Sequence, residues 1–505
     1  MRLSDLFHKM RKAERTLENA SRADPDVARL KYDSRTLCPG DGGVIFACAP
    51  GENSDGHDFA GSAISSGAVA LLCERGMPFD VPQIILPNVR AAMGEAAAIL
   101  YGRPSAGMTM IGLTGTNGKT TCAYLIRSIV RASGQTTGML GTIVYDDGRE
   151  ETFAGRTTPE GPDIQEMLSS MAGNGVECCV MEASSHGLDQ GRLSGCLFDR
   201  AGFSNLTPEH LEYHSGMENY FEAKRLLFTE YANRGFIGAV NADDEYGLRL
   251  LGEFQDSARP FSAALPGTAV RPGVYSIVLA SQCLTGMSLD ARCPDGREFS
   301  VTSPLIGPHN AYNIIESIAI ADSLGIDAEA MRRGIAECPR VPGRLERYCL
   351  SNGVTVFVDF AHSPDGMKQT LDTLSRFARG GLRVLWGAGG DRSPLKRPEV
   401  GEIMARYADH VIVTTDNPRS EDPADIARDV ERGVRARAGR AKSDTILDRR
   451  DAIYFALDSS EPGDILLIAG KGPERFVEYK DRKVPFSDTE SVLEWAGERS
   501  LEVSG

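Results

Sequence analysis

The stretch Thr114-Gly115-Thr116-Asn117-Gly118-Lys119-Thr120-Thr121 carries groups suited to holding a polyphosphate. A glycine-rich turn aims backbone N–H groups at an anion, and a helix N-terminus following it adds its dipole. From such a loop Lys119 reaches the β- and γ-phosphates, and the Thr120 hydroxyl takes one position on Mg²⁺. The strict spacing G-x4-G-K-[ST] is not met, because position 113 is Leu and the upstream glycine is Gly112. A P-loop variant and a phosphate cradle are expected. The use of the phosphate must be read from other residues.

Glu182 closes the apolar run Val176-Glu177-Cys178-Cys179-Val180-Met181. A carboxylate there can ligate Mg²⁺ directly or through water. A lone strand-end Glu is more often merely solvated, but the upstream P-loop favours the metal role. His210-Leu211-Glu212-Tyr213-His214 spaces two histidines for one helix face, yet Leu211 stands where a zincin needs Glu. Zinc is not expected. One of these histidines near Mg²⁺ or phosphate is the functional reading, and a hydrogen-bonded surface pair is the plain one. Lys224, in Tyr220-Phe221-Glu222-Ala223-Lys224-Arg225, reads from the residues alone as a solvated helix position. Asp416-Asn417-Pro418-Arg419 offers a carboxylate for an ammonium and a guanidinium for a carboxylate, on a turn stiffened by proline. That set complements an amino-acid zwitterion, and Arg392 after a neighbouring run adds a second cation.

Short apolar runs must position these groups. Met110-Ile111-Gly112-Leu113 predicts a buried strand before the P-loop, and Cys122 to Val130 has helical periodicity. In the last third, four runs each lead into Gly, Asp, Asn or Arg: Val354–Val358, Arg383–Trp386, Val411–Thr415 and Ile465–Ala469. Nearly continuous apolar runs are expected of strands buried on both faces of a parallel sheet, with helices such as Arg397–Tyr407 between them. Ligands of open α/β sheets bind beyond the carboxyl ends of the strands, so four such ends predict a site. Val176–Met181 and Gly238–Val240 follow the same grammar in the middle of the chain. Breaks at Gly102–Gly107 and Cys338–Gly343 separate a first segment from the P-loop strand and the middle from the last third.

At 505 residues the chain is too long for one core. Its 41% hydrophobic and 25% charged residues are ordinary for a soluble globular protein. A net charge of −15 argues against a nucleic-acid binder, which needs a basic face. No apolar run approaches a membrane span. Met1 to Ala20 predicts an amphipathic helix and has no signal-peptide character. Eleven cysteines without a C-x2-C pair are expected to be reduced and mostly buried, in a cytoplasmic protein.

Taken together, these segments resemble the Mur ligases, the ATP-dependent amide-forming enzymes of peptidoglycan stem-peptide synthesis. The variant P-loop carries the resemblance together with Met181-Glu182-Ala183-Ser184-Ser185-His186-Gly187-Leu188 and Gly307-Pro308-His309-Asn310-Ala311-Tyr312-Asn313. Pro342-Gly343-Arg344-Leu345-Glu346 and Val358-Asp359-Phe360-Ala361-His362-Ser363-Pro364 complete it. Asp33-Ser34-Arg35, Thr157-Thr158-Pro159 and Asp416-Asn417-Pro418-Arg419 are similar to the MurE-type branch, in its meso-diaminopimelate-adding form. Two positions depart from the pattern. Glu209 stands where Asp is common, and Pro473 replaces the His of a Gly-Lys-Gly-His-Glu motif.

The resemblance implies three α/β domains. They are an N-terminal uridine-nucleotide-binding domain over 1–107, a central P-loop ATPase-like domain over 108–339 and a C-terminal Rossmann-like amino-acid-binding domain over 340–505. It implies that meso-diaminopimelate is added to the D-glutamyl carboxylate of UDP-MurNAc-L-Ala-D-Glu through an acyl phosphate. Gly115, Thr116, Asn117, Gly118, Lys119, Thr120 and Thr121 would bind ATP, with Asn310, Arg344 and Asp359. Ser34 would contact the uridine nucleotide, and Thr157, Thr158, Ser184, Gln190 and Arg192 the muramoyl dipeptide. Lys119, Lys224, Glu182 and His210 would be catalytic. Thr120, Glu182, His210 and Lys224, the last carboxylated by CO₂ to a carbamate, would hold Mg²⁺, with two ions expected. Arg392, Asp416, Asn417, Pro418, Arg419, Gly470 and Glu474 would bind diaminopimelate. A cytoplasmic monomer without nucleic-acid or membrane partners is expected. Two competing readings are a nucleotide-dependent switch, which lacks an Asn-Lys-x-Asp motif here, and a folylpolyglutamate synthetase, which the uridine-type N-terminal segment and Asp416–Arg419 argue against.

Overall fold

Apolar runs ending in glycine, hydroxyl or acidic residues become the parallel strands of this chain. The computed structural model describes every residue except 11–14, 20–22, 39, 52–53, 265–270, 339, 437–440 and 505. Pro339, in the second predicted break and at a predicted domain limit, therefore lies outside the described residues. The chain packs as two units, Met1–Phe261 with Glu316–Gly334, and Ser262–Ile315 with Ile335–Gly505.

The first unit contains an N-terminal sheet ordered Thr16–Glu18, Gln83–Ile85, Ala68–Cys73, Val44–Ala47, Arg29–Lys31, antiparallel only at its first pair. The predicted helix over Met1–Ala20 is corrected here. Among the described residues of that segment only Leu3–Lys9 is helical, burying Leu3 and Leu6, and Thr16–Glu18 instead pairs with Gln83–Ile85. Edge pairing satisfies the backbone of this segment as a helix would have done. Residues 11–14 and 20 of that prediction lie outside the described residues.

The second sheet of this unit positions the P-loop. Thr109–Thr114 runs parallel between Cys178–Glu182 and Phe198–Phe203, as the buried run predicts. Thr137–Leu140 flanks Cys178–Glu182, and Ala232–Asn241 flanks Phe198–Phe203. Gly112 is required by packing, since a Cβ there would meet Leu227 and Phe198 at 2.9 Å. Helix Lys119–Ala132 follows directly, with Gly118 at φ 95° as its N-cap.

In the second unit a sheet is ordered Lys442–Thr445, His410–Val413, Leu382–Trp386, Ile465–Ala469, Thr355–Asp359, Glu346–Leu350, Val503–Ser504. Its first five strands are parallel, and the last two pair antiparallel. Both faces are buried, which explains the unbroken apolar runs. Val384 and Leu467 pack on one face with Met367, Leu371, Val400 and Val430, while Leu385, Leu466 and Ile468 pack on the other with Ile453, Leu457 and Trp495. The order brings the carboxyl ends of four neighbouring strands together at Val413, Trp386, Ala469 and Asp359. Eight of the eleven cysteines are buried, and all are free thiols. Among the described residues no helix is long and apolar enough to cross a membrane.

Candidate active site

The loop after Thr109–Thr114 is braced from the neighbouring strand end. The Thr116 N–H donates to the Asn205 carbonyl at 2.8 Å, and the Asn117 N–H to Asn205 Oδ1 at 2.9 Å. Gly115 sits at φ 143°, and a side chain there would collide with Ser204 Oγ. Lys119 Nζ donates back to the Gly115 and Thr116 carbonyls at 2.8 and 2.9 Å. The cation thus lies over the loop it would share with a phosphate.

Glu182 ends its strand with 1% of its surface exposed. Three donors fix its carboxylate. The Thr120 hydroxyl donates to Oε2 at 2.9 Å, the Thr142 hydroxyl to Oε2 at 2.9 Å, and the Thr142 N–H to Oε1 at 2.8 Å. Sequence reasoning missed Thr142, whose only signal was its place after Gly141 beyond the end of Thr137–Leu140. Thr142 also shares a 3.1 Å hydroxyl contact with Thr157. Thr158 donates to the Glu182 carbonyl at 2.8 Å and accepts from the Ser184 N–H and hydroxyl, each at 3.0 Å. Arg192 donates to the Thr158 carbonyl at 2.9 Å and to Gln190 Oε1 at 2.7 Å. Thr120, Glu182, Thr157, Thr158, Ser184, Gln190 and Arg192 therefore form one connected network. Ser34 stands apart, half-buried at the start of the short helix Ser34–Thr36, with no hydrogen bond to that network among the described residues.

Lys224 corrects the solvated reading. It is 1% exposed, donates to the Gly115 carbonyl at 2.8 Å and lies 4.6 Å from the centre of the Tyr220 ring. Helix Met217–Thr229 turns Tyr220, Lys224 and Leu227 inward together. Burial, reinforced by the Lys119 charge, pulls the Lys224 ammonium well below the ordinary lysine range. The amine is thereby biased toward its neutral form. His210 is not helical: it precedes helix Leu211–His214 at φ 55°, and its ring lies 4.8 Å from His186. Burial, with help from His186, Lys119 and Lys224 and against Glu209, pulls His210 down to about 4. The predicted i, i+4 pair is thus a helix-entry residue and a helix-end residue. His214 is buried, and its ring lies 5.4 Å from His186.

The second unit gathers the other predicted residues. Asn417 Nδ2 donates to Glu474 Oε2 at 2.7 Å, and its Oδ1 accepts from the Glu478 N–H at 2.9 Å. Arg419, at φ 50°, donates to Glu478 Oε2 at 3.0 Å and to the Gly390 carbonyl at 2.6 Å. Arg392 is exposed nearby, its Cγ bordering Gly389 as the Arg419 guanidinium does. Gly470 turns at φ 101° and donates to the Asp359 carbonyl at 3.1 Å. Glu474 follows Pro473 in a formed turn, its N–H donating to the Lys471 carbonyl at 3.2 Å. Lys471 itself was missed. It is fully buried and ion-paired with Asp416 at 3.1 Å and Glu474 at 3.2 Å.

The residues expected at ATP from this unit are held by their own surroundings. Asp359 accepts from the Leu345 and Ala361 N–H groups at 2.6 and 2.8 Å. Burial raises its pKa, opposed by Arg344 and these donors. Arg344 lies 4.8 Å over the Phe360 ring. Asn310 donates to the Ile306 carbonyl at 2.7 Å and accepts from Asn313 at 2.8 Å.

Comparison with known proteins identifies the family. The Mur ligase middle domain matches residues 113–321, the Mur ligase glutamate ligase domain 343–472, and the Mur ligase family catalytic domain 26–101. The chain is 39% identical over 476 residues to the UDP-N-acetylmuramoyl-L-alanyl-D-glutamate--2,6-diaminopimelate ligase of Geobacillus kaustophilus, covering 91% of this chain and 94% of that one. The protein of that name from Gloeobacter violaceus is 38% identical, with 99% of each chain covered. A solved structure bearing the same name superposes with a TM-score of 0.66 at 29% identity, covering 99% of both chains. The chain belongs to the Mur ligase family and has its three-domain α/β architecture.

Proposed function

We propose that the chain is an ATP-dependent amide ligase joining meso-diaminopimelate to the D-glutamyl carboxylate of UDP-MurNAc-L-Ala-D-Glu, in peptidoglycan precursor synthesis. One observation carries this reading. A braced P-loop shares buried hydrogen bonds with Glu182 and Lys224, in a chain 39% identical over 91% of its length to a ligase of that name.

In the proposed reaction the N–H groups of Gly115–Thr121 and the Lys119 ammonium take the triphosphate, Lys119 exchanging its loop carbonyls for phosphate oxygens. Phosphoryl transfer needs positioning and charge neutralisation more than covalent help. The D-glutamyl carboxylate attacks the γ-phosphorus and ADP leaves. The diaminopimelate amine then attacks the acyl carbon, loses a proton, and inorganic phosphate departs as the amide forms. Thr157, Thr158, Ser184, Gln190 and Arg192 are assigned to holding the muramoyl dipeptide, and Ser34 to the uridine nucleotide. Asn310, Arg344 and Asp359 are assigned to ATP. Arg392, Asp416, Asn417, Pro418, Arg419, Gly470 and Glu474 are assigned to the amino acid.

The residues suit Mg²⁺. Thr120 and Glu182 already share a 2.9 Å hydrogen bond between oxygens, and His210 is held neutral. Among the described residues no three His, Cys, Asp or Glu side chains group as a metal site. We therefore assign the remaining oxygen ligand to Lys224. Its neutral amine adds to CO₂ with loss of one proton, which leaves an anionic carbamate on the buried side chain. Thr120, Glu182, His210 and carboxylated Lys224 would hold Mg²⁺, two ions in our reading, which supplies charge neutralisation at the transferring phosphoryl group. We keep the domain limits 1–107, 108–339 and 340–505, each enclosing one of the main sheets' parallel strand sets. We place the reaction in the cytoplasm, where ATP is available, and take the enzyme to act as a monomer.

Phosphate release with UDP-MurNAc-L-Ala-D-Glu, ATP and a panel of amino acids tests this reading. Release that depends on diaminopimelate supports it. Release without an acceptor would point to a nucleotide switch, and release with lysine alone to a different amino-acid branch.

A further inference from the structure

The strand Ile465–Ala469 runs into Gly470-Lys471-Gly472, and the Lys471 side chain has no exposed surface. Its ammonium donates to the Phe476 carbonyl at 2.8 Å, Asn417 Oδ1 at 3.1 Å and Glu474 Oε2 at 3.2 Å. An ammonium has three donors, so these acceptors use all of them. Asp416 Oδ1 also lies 3.1 Å away, as an ion pair. It is out of hydrogen-bond alignment, and the buried oxygen has no hydrogen-bond donor among the described residues. A buried carboxylate oxygen without a donor is costly and calls for one.

The charges around this point can be counted. At the Lys471 ammonium, Asp416 and Glu474 are negative and Lys471 is positive, while Arg392 stands exposed beside Gly389 and Lys483 faces Glu478 at 3.5 Å. The neighbouring Arg449 is spent on Asp488, with two hydrogen bonds at 2.7 and 2.8 Å, and forms a neutral pair. Arg419 is paired with Glu478 at 3.0 Å. Lys471 also fixes Asn417. With Oδ1 facing the ammonium and the Glu478 N–H, the amide must present Nδ2 to Glu474.

We propose that Lys471 is a positioning residue that holds the Asp416–Glu474 end of the amino-acid pocket at one net negative charge and leaves the Asp416 oxygen open for the substrate ammonium. The inference deepens the proposed function and rests on it. Diaminopimelate is a net-neutral zwitterion, with two ammonium and two carboxylate groups. Lysine lacks one carboxylate and is more cationic. A pocket stripped of the Lys471 charge would hold two uncompensated carboxylates and would favour the more cationic amino acid. Lys471 therefore contributes to selectivity by charge, apart from any contact between Arg419 and the distal carboxylate.

The test uses the full-length enzyme and the Lys471→Met variant, with kcat/KM measured for diaminopimelate and for lysine, and KM for ATP as a reference. The expected result is a fall of about tenfold or more in the diaminopimelate-to-lysine ratio, with KM for ATP unchanged. Should Lys471→Met fail to fold, Glu474→Gln serves in its place. With Lys471 present it takes that end of the pocket to zero net charge, so the ratio should move toward diaminopimelate. Equal proportional losses for both amino acids in Lys471→Met overturn the inference, as does a Glu474→Gln ratio that stays constant or moves toward lysine. Wild-type enzyme that forms no product with either amino acid overturns the ligase reading, and this inference with it. Wild-type turnover with an unmoved ratio overturns this inference alone.

Discussion

Replacing Thr142 by Val keeps the size and shape of the side chain and removes one hydroxyl. In the native chain that hydroxyl donates to Glu182 Oε2 at 2.9 Å and meets the Thr157 hydroxyl at 3.1 Å. Glu182 would keep two of its three donors, the Thr120 hydroxyl and the Thr142 N–H. A hydrogen bond to a charged group contributes about 1.5–3 kcal/mol. Thr142 is only half-buried, so water can replace part of the loss, and the lower end applies. That corresponds to about a tenfold fall in kcat/KM for ATP. Because Glu182 is assigned to Mg²⁺, the Mg²⁺ concentration for half-maximal rate should rise as well. Nucleotide binding by calorimetry, with and without Mg²⁺, separates the two effects: affinity in the presence of metal should drop while metal-free affinity holds. Thr142→Ser, which keeps the hydroxyl, should stay near the native rate. A Val variant with native kcat/KM and native Mg²⁺ dependence would refute the idea that this hydroxyl orients Glu182.

Other perturbations have equally definite outcomes. Lys224→Ala should abolish measurable amide formation, and short carboxylic acids should partly restore it by standing in for the carbamate; full activity in the Ala variant would reject that role. Arg419→Met should lower kcat/KM for diaminopimelate about tenfold to a hundredfold, while lysine, which lacks the second carboxylate, is little affected. The native preference should be smaller than a fully unpaired guanidinium would give, because Arg419 keeps Glu478 as a partner whichever amino acid binds; equal losses for both amino acids would count against this. Burial pushes the Glu316 carboxyl up to about 8 from 4.5, so between those values the unfolded chain ionises and the folded one does not. Its contribution to stability is present in full below 4.5 and is lost as pH rises through 8. Glu316→Gln should therefore flatten the dependence of melting temperature on pH across that window, and an unchanged slope would contradict the assignment.

How much of this was legible in the sequence depended on how local each signal was. The P-loop and the four strand ends could be read because glycine spacing and two-faced burial act over a few residues. Lys224 was misread from the residues alone, although Tyr220, Lys224 and Leu227 recur at helical spacing on one buried stripe, a signal that places the lysine inside. Lys471 offered no such signal. Its acceptor on Asn417 lies 54 residues away in the chain and meets it only through the order of the strands. The His210/His214 spacing suggested a shared helix face, but the helix starts at Leu211 and leaves His210 in a left-handed turn. The N-terminal segment had helical composition, yet pairing with Gln83–Ile85 at a sheet edge decided the state of Thr16–Glu18. For Lys471 and for Thr16–Glu18 the deciding partner was distant in sequence.

The central claim is that the phosphate held by this loop serves to activate a carboxylate. UDP-MurNAc-L-Ala-D-Glu carrying oxygen-18 in its terminal carboxylate tests this most directly, with mass analysis of the inorganic phosphate released on reaction with ATP and diaminopimelate. Passage through an acyl phosphate predicts one labelled oxygen transferred to phosphate for each amide formed. Amide formation with unlabelled phosphate would contradict the account.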